Sequence, residues 1–214
     1  VAFRASSHGM DAIGVAVASL ACVPQARASL VNIDFNAGSS PTYSGAAVVG
    51  SAADTWNGIN GGGIANPASI SNAPLVDSTG AITGVTLSVA GTSGAYNANT
   101  NNSCLMATSP FSSLMCDYLF LFVPNGRVAT VTLAGLTPGA DFDLILYSMA
   151  DRSGRVTNFT LDGVTQVATA ASVSGLVLGT NYVEFTGTVG AAGLLSFAFT
   201  GPAGSNLDGI QWAQ

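Results

Sequence analysis

The sequence predicts an all-β domain, a two-sheet antiparallel β-sandwich or jelly roll, preceded by a signal-peptide helix. Three observations carry that prediction. Apolar residues alternate with a period of two along most of the chain beyond residue 28, as a strand with one buried face requires. Turn-forming residues interrupt the alternation at short intervals. The composition, 48 % hydrophobic and 7 % charged with 26 glycines, supplies a core and many reversals and lacks the charge of a disordered chain.

The first 28 residues stand apart. Residues 12–23, AIGVAVASLACV, form an apolar run too short to span a bilayer as a helix. Arg4 precedes the run, and Ala26-Arg27-Ala28 follows it with the small-x-small form of a signal-peptidase site. We therefore read 1–28 as a secretory signal cleaved after Ala28. The mature 29–214 domain is then secreted, with no membrane contact after cleavage. Two alternatives stay open: an amphipathic helix packed on the domain, and a lipid anchor through Cys22, whose context SLAC approximates a lipobox.

The strands follow in order. SLVNIDFN alternates Val31, Ile33 and Phe35 with Asn32 and Asp34, a half-buried strand. Alternation recurs in GVTLSVAG, CDYLFLFV, RVATVTLAGL, DFDLILYS, VTNFTLDGV, NYVEFTGTV, GLLSFAFTG and LDGIQWAQ. Val, Ile, Phe, Tyr and Thr dominate these runs, in line with strand propensity. Asp162-Gly163 predicts a two-residue hairpin, and Thr137-Pro138-Gly139 has Pro then Gly where a type II turn needs them. Asp77-Ser78-Thr79-Gly80 closes another reversal. Residues 93–103, SGAYNANTNNS, read as a polar loop, and nothing divides 29–214 into two domains.

Charge and residue inventory exclude several functions. The chain has no lysine, and its five arginines face eleven acids, for a net charge of −6. A protein that grips phosphates needs cations, so nucleic acid is not the expected partner. The single histidine, His8, lies in the signal segment. The mature domain therefore holds no Ser-His-Asp or Cys-His mechanism, no histidine-ligated zinc and no Schiff-base lysine. Cys104 and Cys116 remain as an even pair in an exported domain and read as a disulfide.

Two chemistries survive. Asp141 and Asp143 share one face of a strand about 6.5–7 Å apart at Cα, within the range over which glycosidases place two carboxyl groups. A solvated strand entrance explains the same spacing. Glu184, alone of its type, sits mid-strand and faces either water or a substrate. Sugar binding needs a flat aromatic face with planar polar groups beside it. Tyr43, Trp56 with Asn57 and Asn60, and Tyr96 are placed for that on apparent loops. Trp56 has a second reading, as a plug for a core built from small side chains. Arg152 and Arg155 flank a turn and are placed either to clamp a uronate carboxylate or simply to face solvent.

The run of motifs from VNIDFN through TYSGAAVVGSAADTWNGI, VDSTGAITGVTLSV, GLTPGADFDLILYS, NYVEFTGTV and LLSFAFTG to LDGIQWAQ resembles the exported bacterial galactose-binding-like jelly rolls of PEP-CTERM-type proteins. GLTPGADFDLILYS alone also resembles the turn-plus-strand element of fibronectin type III domains, with Phe142 where a tyrosine is usual. The jelly-roll resemblance implies a structural Ca2+ between an early loop and the last strand, which points to Asp34 and Asp208, with loop carbonyls completing the shell. It favours a secreted, non-catalytic domain that binds a glycan or cell-surface polymer. Two alternatives remain: a matrix protein assembling through strand edges, and a carboxylate-dependent glycan hydrolase or lyase.

Overall fold

A computed structural model describes residues 29–64, 66–122 and 126–214, so the expected signal segment lies outside the described residues. The strands begin with β1 (Leu30–Asn36), β2 (Asn57–Asn60), β3 (Gly62–Gly63), β4 (Asn66–Pro67), β5 (Ile70–Val76) and β6 (Ile82–Ala90). They continue with β7 (Gly94–Asn97), β8 (Asp117–Leu121), β9 (Ala129–Ala134), β10 (Asp141–Tyr147) and β11 (Thr157–Leu161). The last are β12 (Val164–Ala168), β13 (Tyr182–Thr188), β14 (Leu194–Thr200), β15 (Ser205–Leu207) and β16 (Gly209–Ala213). Among the described residues only α1 (Ser112–Met115) and a 3-10 turn at Ala98–Asn101 are helical, and no helix is long and apolar enough to cross a membrane.

The predicted sandwich is present. A five-stranded sheet in the order β13-β10-β16-β1-β2 packs on a six-stranded sheet in the order β12-β11-β14-β9-β6-β5. Their facing side chains form the main core. Val31, Ile33, Phe35, Leu144, Leu146, Ile210 and Trp212 come from one sheet, and Leu87, Val131, Leu133, Phe159, Phe197 and Phe199 from the other. Trp212 thus packs inside, as its strand periodicity implies. Pairing is antiparallel except between β1 and β2, which run parallel. A three-stranded sheet, β15-β8-β7, and the small β3-β4 pair extend one end.

The turns do what their residues dictate. Leu161 pairs with Val164 across Asp162 and Gly163, both at positive φ (48° and 80°), the geometry of a type I′ hairpin. Gly139, at φ 77°, lets the Ala140 amide reach the Thr137 carbonyl at 3.2 Å. Asp77 Oδ1 accepts from the Thr79 and Ala81 amides at 2.8 and 3.0 Å and closes the β5–β6 reversal.

Three expectations change. Residues 93–103 are not wholly loop, because β7 pairs along β8 and buries Ala95, a strand that Asn-rich neighbours conceal in the sequence. Asn57 and Asn60 lie on β2 rather than on a loop. β1 is buried on both faces, not one: Asn32, Asp34 and Asn36 point away from the main core, yet residues 37–56 fold back over them. Gln211 fixes that cover, donating to Asn32 Oδ1 at 2.8 Å and to the Val49 carbonyl at 3.0 Å.

The outer face of the six-stranded sheet is of a different kind. Thr130, Thr132, Thr160, Thr165 and Ser196 stand on it, with hydroxyl pairs Thr132–Ser196 at 3.2 Å and Thr160–Thr165 at 2.8 Å. None of its six strands carries a charged residue.

Candidate functional site

A second apolar cluster under the folded-back loops answers what the loop aromatics do. Tyr43 and Trp56 are 8 % and 5 % exposed and meet edge to face at 5.1 Å between ring centroids. Trp56 Nε1 donates to the Gly45 carbonyl at 2.8 Å, and the Tyr43 hydroxyl to the Ala46 carbonyl at 2.6 Å. Tyr147, Met106, Leu114 and Met115 belong to the same cluster. Tyr43, expected to face a sugar, is a plug instead, and of the two readings of Trp56 the structure takes the plug: a segment of Gly, Ala and Ser leaves a volume that large rings fill. Asn57 is committed too. Its amide donates to the Asn32 and Val76 carbonyls and accepts from the Val76 amide, at 2.8 to 2.9 Å, which ties β2 to the end of β5. Asn60 is exposed and accepts from the Gly62 amide at 2.8 Å, a local turn contact.

The Cys104–Cys116 disulfide forms, with Cα atoms 5.3 Å apart, and closes the segment that carries α1 against this cluster.

Three of the expected binding residues do converge. Tyr96 on β7, and Arg152 and Arg155 on the loop after β10, line one cleft of about 200 Å³ with Tyr118, Phe120, Phe122, Asp151 and Ile64. Period two along β8 sends Leu119 and Leu121 into the main core, and Tyr118 and Phe120 to the opposite side. Phe122 continues that side just past the strand. Its amide is held by the Ser93 hydroxyl at 2.9 Å while 69 % of the residue stays exposed. Ile64, 63 % exposed, stands at the same cleft. The Tyr96 and Tyr118 rings are tilted at 51° with centroids 5.8 Å apart.

Charge at the cleft is organised around Asp151. Arg155 Nε lies 3.3 Å from its Oδ1 and Arg152 Nη2 lies 3.3 Å from its Oδ2. The Arg155 side chain is largely enclosed, at 20 % exposure, whereas Arg152 is open at 70 %. The Tyr118 hydroxyl is buried without a good hydrogen bond. Burial, then the Asp151 and Asp208 charges, push its pKa above the ordinary tyrosine value. Sequence reasoning missed Tyr118, Phe120, Phe122 and Asp151. The i, i+2 aromatics of DYLFLF were the available signal.

Asp34 and Asp208 are fully buried, not surface aspartates. Asp34 Oδ2 accepts from the Tyr43 amide at 2.7 Å, and Asp208 Oδ2 from the Met149 amide at 2.6 Å. Each leaves its Oδ1 without a partner, as do the side-chain carbonyls of Asn36 and Asn206. Asp117, also buried, lies within electrostatic reach of both. Burial raises the pKa of Asp34 and Asp208 well above the ordinary aspartate value, and Asp117 is pushed up to about 6. Among the described residues no three His, Cys, Asp or Glu side chains gather as a metal cluster. A cation here would need amide and backbone oxygens beside the carboxylates.

Asp141 and Asp143 border a wider depression of about 380 Å³ at the end of the five-stranded sheet, with Thr186, Thr188 and Gln214. Both are exposed, and Asp141 Oδ1 accepts from the Thr188 hydroxyl at 3.0 Å. Glu184 is exposed on β13, paired with Ile145. The one aromatic ring at this depression, Phe142, is turned into the core.

No protein-family model matches this chain, and no curated protein matches it. Among solved structures it is similar to a family 35 carbohydrate-binding module from Clostridium thermocellum, at TM-score 0.32 and 13 % identity, over 56 % of this chain and 98 % of that one. It is similar to TmCBM61, solved with β-1,4-galactotriose, at TM-score 0.35 and 9 % identity, over 59 % of this chain and 86 % of that one. An exo-β-1,3-galactanase from Phanerochaete chrysosporium, solved with galactose, matches at TM-score 0.36 and 14 % identity, over 65 % of this chain and 32 % of that one. At these scores the likenesses assign neither a family nor a ligand.

Proposed function

We propose that the domain is a non-catalytic glycan-binding β-sandwich and that the Tyr96–Phe122–Arg155 cleft is where the sugar sits. One observation carries this reading: exposed Phe122 and half-buried Tyr96 flank a concave site that also presents guanidinium donors. A pyranose offers an apolar face for a ring and hydroxyls for such donors. The exposed carboxylates Asp141, Asp143 and Glu184 line shallow depressions that present no exposed aromatic ring, which favours the Tyr96–Phe122 cleft as the sugar site. Isothermal titration against neutral galactan and xylan oligosaccharides tests the reading. Phe122→Ala should weaken binding about tenfold while leaving the unfolding midpoint unchanged, because that ring is exposed. Binding indifferent to Phe122→Ala and Tyr96→Ala would move the site elsewhere.

A dication is the second part of the reading. Asp34 and Asp208 would hold it, with the Asn36 and Asn206 side-chain carbonyls as neutral ligands. What supports this is four buried oxygens with free lone pairs and carboxylates without a neighbouring counter-charge. Bound Ca2+ would compensate those charges and brace residues 37–56. Its test is a Ca2+-dependent rise in unfolding temperature over a chelator control, lost in Asp208→Asn. Export through residues 1–28, with the domain working outside the cytoplasm, completes the proposal. A disulfide is the expected chemistry of that compartment.

A further inference from the structure

The cleft holds a surplus of positive charge that the rest of the domain lacks. Residues 29–214 contain three cationic side chains, Arg127, Arg152 and Arg155, against ten acids. Two of those three converge here, and the single acid among the lining residues, Asp151, engages both. Among the lining side chains Asp151 compensates one guanidinium and leaves the other unmatched, on a strongly acidic molecule.

The two arginines are held differently. Arg155 faces Asp151 through Nε and is largely enclosed, which leaves its Nη groups for other partners. Arg152 touches Asp151 through one Nη2 contact at 3.3 Å and is otherwise open to solvent. A neutral sugar needs donors and acceptors in comparable numbers. Paired guanidinium groups beside aromatic rings supply donors and charge, the pattern that suits an oxyanion with two or more acceptor oxygens.

Resting on the glycan-binding reading, we infer that the ligand is an acidic polysaccharide, a pyranose bearing an anionic substituent gripped by Arg152 and Arg155 while its ring lies against Phe122 and Tyr96. A uronate carboxylate and a sulfate ester share this chemistry.

The test is titration calorimetry of the full 29–214 domain with three trisaccharide-length probes: galacturonate, sulfated galactose and neutral galactose oligomers. One or both anionic probes should bind about tenfold or more tightly than the neutral one at low salt. That advantage should shrink as NaCl rises toward about 0.5 M, because screening shortens the reach of the arginines. Arg152→Gln, at an exposed position, should remove most of the anionic preference by weakening the anionic probes several-fold more than the neutral one, whereas Arg127→Gln, outside the cleft, should leave every affinity within about twofold. Arg155→Lys keeps the charge beside Asp151 and should lose the preference only in part, since a point charge replaces a planar fork. Equal affinity for neutral and acidic probes, unmoved by salt and by Arg152→Gln, would overturn the inference while leaving sugar binding intact. Failure of every probe would overturn both.

Discussion

Asp117 offers the sharpest test of the electrostatics under the loops. Its Oδ2 accepts the Ala37 amide at 3.3 Å, yet loss of water still lifts its pKa from 3.8 to about 6. The folded state therefore holds this proton more tightly than the unfolded chain does. From roughly pH 4 to pH 6 the native protein carries more protons than the unfolded one, so stability falls as pH rises through that window. A carboxyl displaced this far costs about 3 kcal/mol once fully ionised, at about 1.4 kcal/mol per pH unit. Asp34 and Asp208, raised by their own burial, act in the same direction. Asparagine at 117 keeps an oxygen for Ala37 and removes the charge. With chelator present, Asp117→Asn should exceed the parent in urea-unfolding stability by about 1–3 kcal/mol near pH 7.5, and the gain should vanish by about pH 4.5. A difference that stays flat with pH, or a loss at pH 7.5 as large as at pH 4.5, would refute the reasoning.

Three further outcomes follow from packing and connectivity. Trp56→Ala should lower unfolding stability by about 3–5 kcal/mol, as for a fully packed ring, without altering sugar affinity once the variant is shown folded. Reduction of the disulfide, or Cys104→Ser with Cys116→Ser, should cost about 3 kcal/mol in denaturant titration through release of a loop whose ends are 12 residues apart. Gly163→Val, placing a β-branched residue at φ 80°, should destabilise the β11–β12 hairpin by about 1–2 kcal/mol, read as faster amide exchange in β12.

The sandwich was legible because each strand advertises itself locally. Val31, Ile33 and Phe35 alternate, Asp162-Gly163 can turn in only one way, and Pro138-Gly139 fixes its own reversal. The candidate site was legible only in pieces. Arg152, Arg155 and Tyr96 are visible as unusual residues, but their meeting depends on β7 pairing with β8, a contact between short segments with weak patterns of their own. Tyr43, read as sugar-facing, and Trp56, read both as a platform and as a plug, could not be placed from sequence for a global reason. Whether a loop aromatic faces water depends on what folds over it, and here residues 37–56 turn back on the sheet that bears Gln211 and Tyr147. Burial of Asp34 follows from the same cover and has no local signature.

The uncharged outer sheet has a consequence for how the molecule meets a boundary. Among the described residues the ionic groups at its rim are Asp77, Asp162 and exposed Arg127, while Asp141, Asp143 and Glu184 ride on the opposite layer. The protein is thus electrically lopsided, and a positively charged resin, film or mineral will capture it with the acidic layer inward. The threonine-bearing layer is then left facing the liquid, where added salt has nothing to screen.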